Sequence, residues 1–582
     1  MFIHFIFCLT LVFSIRAAVL IDFQVAQPPI VPQDVKQCTI KVLQRDFAFS
    51  FGRPPTDCGP LGSWTAITLN FTVTSNGTQF DRLGIFTYRN VEIWRTSTPE
   101  PTRGDGIIWT YIKDVTQYMP LFTEPGTFIL QLDNLIQQGL DGIYSTVLHA
   151  TFYASSDVHP PAAKADLVIP LSTLSNTTGN EASVPPSFSV NVTVPQNTIE
   201  LYAELFASGN GQEESWYFNV ANEFSTHLPS DITFGQGPFR EVRVLIDGQL
   251  AGVAFPYAVI FTGGFVPSFW RYEEGYMLEI YLNGFCSRPI AAYGALDLPT
   301  YFLDLTPFIP MLTDEKAHTF TIDVISAEGN HTILQNWYIS GLLQVVTDKS
   351  STKRTTGKIT FYNVSEFPET VTKGNVVTEG EINVEVRASH QLHVEAEIVR
   401  GSGGVTHVIW SQDLHYSNQQ TYKNNASIQT LRQAASGRVI STHNGVPTVA
   451  DTFSYPLNID FTYLGPDRQN WTTQIDHTYN RAVTPNPFMI SSTIAERQVV
   501  DGFFQLHTGG NFGHGASNNT FSYEDAAGNT YRRRVNADMN VITFDEESGS
   551  LATRAAQQES NAKLEDSSSV FGAVRLPGAV KT

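Results

Sequence analysis

Apolar and polar residues alternate with a period of two over much of the chain. Residues 63–74 read Ser-Trp-Thr-Ala-Ile-Thr-Leu-Asn-Phe-Thr-Val-Thr, the alternation returns over 84–95, and 126–135 follows a Pro-Gly turn. A period of two sends successive side chains to opposite faces of a strand, so these segments predict half-buried β-strands. A second block, about 187–347, repeats the style at 199–206, 240–246, 257–261 and 320–325. A polar, basic stretch from Lys349 to Lys358 separates it from a third β-rich block with turn signals at Asn444-Gly445 and Ala527-Gly528. The organisation expected is a first β domain at 19–160, a linker or crossing segment at 161–186, a second β domain at 187–347 and a C-terminal β-rich domain at 348–544. Past Asp545 periodicity ends, and 545–582 reads as a solvated, acidic, Ser- and Ala-rich tail.

Composition supports this all-β reading. Of 582 residues, 42% are apolar and 16% charged, which permits a large core, and 42 Gly with 31 Pro punctuate the chain as short turns do. A formal charge of −20 repels phosphate backbones and anionic membranes, so nucleic acid is not an expected partner. Residues 2–13 are largely apolar and precede Ser14-Ile15-Arg16-Ala17-Ala18. We read 1–18 as a secretory signal, too short for a span of ~20 residues, with no later membrane segment. The protein is thus expected to be secreted, or vacuolar by the same route. Nine Asn-x-Ser/Thr sequons fit that route: Asn70, Asn76, Asn176, Asn191, Asn330, Asn363, Asn425, Asn470 and Asn518. Of four cysteines, Cys8 leaves with the signal and Cys286 lies in a segment treated below. Cys38 and Cys58 are expected to pair, closing a loop that contributes ~3 kcal/mol in the chain-entropy model; two buried thiols are the alternative.

Zinc-protease, Walker-loop, paired Cys-x-x-Cys and nucleophile-elbow motifs are missing. His507 and His514 flank a Gly-rich turn, and we expect no metal there. What remains is acids beside Arg and aromatics: Asp81 in Phe80-Asp81-Arg82 after an expected hairpin tip at Ser75-Asn76-Gly77, then Glu92, Arg95 and Glu100, then Asp133, then Glu213-Glu214 ahead of Trp216-Tyr217. An Arg holds a pocket carboxylate in its charged form, and two confined carboxylates raise one another's pKa. On spacing alone each also fits a surface ion pair, an outward strand position or a solvated turn.

Taken together the strings resemble the peptide-N-glycanase A family over about 35–540. They are Phe80-Asp81-Arg82, Glu92-Ile93-Trp94-Arg95-Thr96-Ser97-Thr98-Pro99-Glu100-Pro101, Lys113-Asp114-Val115-Thr116, Glu213-Glu214-Ser215-Trp216-Tyr217, Val244-Leu245-Ile246-Asp247-Gly248 and Asp304-Leu305-Thr306-Pro307-Phe308. The first two domains are also similar to the paired eight-stranded jelly rolls of bacterial peptide-N-glycanase F. The resemblance implies a cofactor-free glycoamidase acting on N-glycosylated peptides and glycoproteins. It would hydrolyse the amide between Asn and the innermost N-acetylglucosamine, giving Asp and a glycosylamine that loses ammonia. It places the water-activating acid at Asp81, a positioning and proton-transferring acid at Glu214 with Glu213 as the alternative, and an orienting acid at Asp133, where peptide-N-glycanase F carries Glu. Arg82, Trp216 and Trp270 are the implied sugar contacts.

Two other readings stay open: a secreted glycan-binding jelly-roll protein without activity, and a glycosidase using two carboxylates. One segment departs from the family pattern. The string expected as Trp-Arg-Pro-Ile is split between Trp270-Arg271 and Pro289-Ile290 by 17 residues, Tyr272 to Arg288, foreign in composition and carrying the odd Cys286. A retained in-frame intron accounts for it, as does a surface-loop insertion.

Overall fold

The computed structural model describes residues 19–45, 50–52, 58–101, 104, 106–174, 182–230, 232–262, 290–505 and 512–552. The readings of residues 1–18, Asn176, Trp270, the 272–288 segment with Cys286, His507 and residues 553–582 lie outside them.

The first domain is built from β1 (Leu20–Gln24), β2 (Gln37–Arg45), β3 (Ser50–Gly52), β4 (Trp64–Asn76), β5 (Leu83–Tyr88), β6 (Val91–Ser97), β7 (Ile107–Asp114), β8 (Gly126–Leu132) and β9 (Ile143–Ala154). One sheet runs β2-β9-β4-β7 and the facing sheet β3-β8-β5-β6. The second domain uses β10 (Leu167–Leu171), β11 (Ala182–Val184), β12 (Phe188–Val192), β13 (Thr198–Gly209), β14 (Glu241–Ile246), β15 (Gln249–Ala254), β16 (Ile290–Ala291), β17 (Tyr301–Asp304), β18 (His318–Ile325) and β19 (Trp337–Thr347). Its sheets run β10-β19-β13-β17 and β12-β18-β14-β15. Each domain therefore pairs its first main strand with its last and its second with its next-to-last, which is the double Greek key of a jelly roll. The expected pair of jelly rolls is present. β1 and β16 add to the first domain's sheet by parallel pairing, so a strand from within the second domain's stretch of chain is stitched into the first domain.

The C-terminal unit is one eleven-stranded sheet, from β20 (Thr356–Val364) to β30 (Val541–Ser548), largely an antiparallel meander. In β22 (Glu381–Val399) the even positions Ile382 to Ile398 are buried and the odd ones face outward. The inward face packs on the second jelly roll, and the two share a continuous core that includes Trp216, Trp337, Phe239 and Trp410. A separate core fills the first jelly roll, where Phe86 stacks on Trp94 at 4.6 Å. The Cys38–Cys58 disulfide closes over its edge, as expected.

Several expected elements differ. The 84–95 segment is a hairpin, turning at Arg89 and Asn90 with φ of 53° and 67°. The chain after Asn76 crosses from one sheet to the other, with no hairpin tip there. Residues 257–261 form no strand: they are an apolar, mostly buried connection, and burial without pairing imitates a strand in sequence. Within 161–186, β10 and β11 pair with β19 and belong to the second jelly roll. The last strand continues past Asp545 to Ser548, and Leu551 is buried. Of the described sequons, Asn76, Asn191, Asn330, Asn363, Asn425 and Asn518 are exposed, and Asn70 and Asn470 are half-buried. No described helix is long and apolar enough to cross a membrane, and no His, Cys, Asp or Glu cluster suited to a metal occurs among the described residues.

Candidate active site

Asp81 sits on the segment that leads into β5, at one end of the β3-β8-β5-β6 sheet. The backbone there is pinned from both sides: Arg82 N–H donates to Thr98 Oγ1 at 2.8 Å, and Thr98 N–H donates to Arg82 O at 2.9 Å. From below, the buried Tyr144 hydroxyl lies 2.8 Å from Phe80 O. Gln79 organises the rest. Its Oε1 accepts from Phe80 N–H at 3.1 Å and from Arg82 Nε and Nη2 at 3.1 and 2.6 Å, while its Nε2 donates to Leu135 O at 3.0 Å. Arg82 is thereby folded back over the Phe80 ring, 5.5 Å from its centroid. Nothing in the sequence marks Gln79, because the partners of its Nε2, Leu135 O and Gly142 O, are set by the tertiary path of the 133–142 loop.

Glu214 comes from the second jelly roll. β13 ends at Gly209, and a single 3-10 turn over Gly211–Glu213 delivers it. Gly209 is required by close approach: a Cβ there would stand 2.1 Å from Glu213 O. The turn sends its two acids opposite ways. Glu213 is fully buried and accepts from Arg240 Nε and Nη2 at 2.5 and 2.7 Å, from Leu334 N–H at 2.8 Å and from Trp337 Nε1 at 2.8 Å. Four donors occupy that carboxylate, so Glu213 serves the core and does not fit the alternative catalytic role. Glu214 is accessible to solvent yet crowded by protein, as a side chain on a cleft wall is. That crowding, with the charge of Asp81 facing it, pushes its pKa up to about 8. The charge of Asp81 thus bears on Glu214 across the boundary between the jelly rolls, although 133 residues separate the two in sequence.

The remaining expected residues divide. Asp133 is exposed, one residue beyond β8, and no hydrogen bond or ion pair reaches its carboxylate among the described residues. Since Gly84 pairs with Leu132, one further step of register sets Asp133 beside Leu83, at the same sheet end as Asp81. Trp216 does not fit a sugar contact. It is 3% exposed and packs among Tyr217, Trp337 and Tyr416, with ring centroids 5.9, 6.1 and 6.4 Å away, so it offers no open face. Trp270 lies outside the described residues.

The family model described as peptide N-acetyl-beta-D-glucosaminyl asparaginase amidase A matches residues 28–277 and 280–365, and its C-terminal domain model matches 383–457. The chain belongs to this amidase family. The match spans both jelly rolls and is interrupted at 278–279, inside the 272–288 segment. A family member from Prunus dulcis, peptide-N4-(N-acetyl-beta-glucosaminyl)asparagine amidase A, is 32% identical over 435 residues, 71% of each chain. Among solved structures, PNGF-II is similar with a TM-score of 0.32 and 14% identity, covering 52% of this chain and 60% of that one.

Proposed function

We propose that this enzyme is a secretory-pathway glycoamidase that hydrolyses the side-chain amide between Asn and the innermost N-acetylglucosamine of N-linked glycans. The observation that carries the reading is Glu214 at the domain boundary, its pKa pushed up to about 8 by crowding and by the charge of Asp81. Two carboxylates so placed share their charge unequally. Glu214, with its pKa near 8, keeps its proton at neutral pH and leaves the negative charge to Asp81.

This asymmetry matches what amide hydrolysis needs. Asp81 takes a proton from a water as the water oxygen attacks the amide carbon. Glu214 gives its proton to the departing nitrogen as the C–N bond breaks. The products are Asp and a glycosylamine, and loss of ammonia from the latter follows in solution. Both protons come from groups of this chain and from water, so the cycle closes when Asp81 and Glu214 re-equilibrate with solvent. In this reading Asp133 orients substrate at the open sheet end and Arg82 meets the sugar or the peptide.

The test is incubation with a labelled N-glycopeptide in heavy-oxygen water. The expected outcome is one heavy oxygen in the new Asp side chain together with released ammonia, and a rate that declines above about pH 8 as Glu214 deprotonates. A peptide that keeps one sugar on Asn would mean glycosidase chemistry, and binding without product would mean a lectin. Either result overturns the reading.

A further inference from the structure

We infer that the buried ion pair Arg95–Glu92 is a positioning device for the proposed site, a clamp across the two jelly rolls that sets the separation between the carboxylates of Asp81 and Glu214. The inference rests on the function proposed above and assigns these two residues a role in it.

The pair is an unusual construction for a strand. Residues three apart on a regular strand point to opposite faces. In β6, however, the register against β5 slips so that Phe86 faces Trp94 while Thr87 faces Glu92, which makes Ile93 a bulge. A bulge re-aims one side of a strand, and here it brings Glu92 and Arg95 onto the same side. Arg95 then donates from Nε and Nη2 to the two oxygens of Glu92 at 2.8 and 2.9 Å. Both side chains are at most 1% exposed.

What remains of their hydrogen bonding goes across the boundary. Arg95 Nη1 donates to Ser208 Oγ at 2.9 Å on β13 and to Tyr338 O at 2.7 Å on β19, and the Ser340 hydroxyl on β19 donates to Glu92. The first jelly roll thus grips two neighbouring strands of the second. Both grips are close to the acids in chain distance. Arg95 lies three residues before Thr98, whose backbone and hydroxyl hold Arg82 next to Asp81. Ser208 lies six residues before Glu214, and the intervening Asn210 is fixed by exchanging backbone hydrogen bonds with Asn336 at 2.9 and 3.1 Å. Few freely rotating bonds lie between clamp and acids on either side.

Energetics point the same way. A buried ion pair seldom out-stabilises an apolar replacement of equal volume, because desolvation offsets most of its attraction. What it supplies that an apolar pair cannot is direction, through a planar fork with fixed hydrogen-bond angles.

The test compares wild type, Ser208→Ala, Glu92→Gln and the double variant Glu92→Met/Arg95→Met. Thermal midpoint, kcat, KM, and the titration of Glu214 followed by its carboxyl infrared band, assigned with Glu214→Gln, are measured for each. The double variant is expected to melt near wild type but to lose about 10- to 100-fold in kcat with a smaller change in KM, as misplacement of reacting groups does. As the two acids drift apart, the Glu214 titration should move to lower pH, and Ser208→Ala should show a smaller shift in the same direction. Activity that simply follows stability, with an unmoved Glu214 titration in every variant that folds, would overturn the inference. The infrared titration needs no turnover. A wild type inactive on glycopeptides therefore sinks the proposed function, while the clamp is still decided by whether the band moves.

Discussion

Acidic side chains stand both at the boundary between the two jelly rolls and at the boundary between the second jelly roll and the C-terminal sheet, and Glu214 at the first and Asp304 at the second meet opposite surroundings. At the second boundary every carboxylate named here is met by a donor. Asp304 accepts from the Ser441 hydroxyl at 2.5 Å and lies 2.9 Å from His443 Nε2, and Glu241 lies 2.8 Å from His390 Nδ1. Neutral groups follow the same rule, with Gln412 bridging Val253 N–H and O at 2.9 and 2.7 Å. At the first boundary Glu92 is answered by Arg95, but Glu214 meets Asp81 and is repelled. Attraction at one boundary holds two units together; repulsion at the other raises the pKa of Glu214, the feature that the proposed mechanism uses. The contrast shows that an acidic residue's role is set by what faces it, which is a property of the fold and not of the acid.

The sharpest way to break this comparison is to exchange the neighbours Glu213 and Glu214. Glu214→Gln and Asp81→Asn should each lower turnover by at least ~100-fold, the usual scale for removing a general acid or base, with thermal midpoints near wild type. Glu213→Ala leaves the Arg240 guanidinium buried without its carboxylate and should lower unfolding free energy by about 3–5 kcal/mol. Denaturant unfolding read beside glycopeptide turnover checks both. A stable, inactive Glu213→Ala alongside an active Glu214→Gln would invert the assignment.

Much of this arrangement was readable in the sequence and part was not, for reasons that particular residues illustrate. Alternation found β4 and β18 because one face of each is dry and the other is not. It misjudged β6, which is buried along its whole length because one side packs in the first core and the other against the second jelly roll. The inward-facing Gln412, Asn418 and Gln420 look like surface residues in sequence, yet each is buried with its amide bonded across the sheet boundary. Asp81 was singled out only by the family resemblance of its string with Arg82, since on spacing alone it also fits a surface ion pair. The choice between Glu213 and Glu214 was not legible, because it turns on Arg240 and Trp337, both distant in the chain. Trp216 beside the acids read as a sugar platform, and only the packing of Trp337 and Tyr416 around it shows a core residue.

A gentler probe titrates the second boundary. Burial pushes the His443 pKa down, but the hydrogen bond and charge of Asp304 outweigh it and leave the pKa above the ordinary histidine value. A histidine that holds its proton more tightly when folded contributes stability that is complete below about pH 6.5 and is lost as pH rises through the raised folded value. Docking of the C-terminal sheet should therefore weaken on the alkaline side, by about 1–3 kcal/mol for one charge-assisted hydrogen bond. Unfolding measured across neutral to alkaline pH should show this loss in wild type, and a flatter profile in His443→Gln. The first boundary should behave differently over the same range: Glu214 deprotonates there, and activity is expected to fall before the structure loosens.

The smallest effect is expected at Asp133, and it asks how far the first boundary's logic extends along the sheet end. The similarity to peptide-N-glycanase F sets an acid at this position, one methylene longer than the residue present. Asp133 has no donor holding it among the described residues and stands in water, so in the free enzyme it is neither the paired kind of carboxylate nor the repelled kind. A group in that state adds nothing to stability, and it acts only when substrate brings a hydroxyl or amide N–H within reach. Asp133→Ala should accordingly leave the thermal midpoint unchanged and raise KM more than it lowers kcat, by several-fold in kcat/KM, the scale of one or two exposed hydrogen bonds. Asp133→Glu, which extends the carboxylate toward the sheet end it shares with Asp81, should keep or improve kcat/KM. If all three proteins turn over a glycopeptide equally, the residue is a solvated end of β8, and orientation of the substrate falls to Arg82 and to the loop that Gln79 holds.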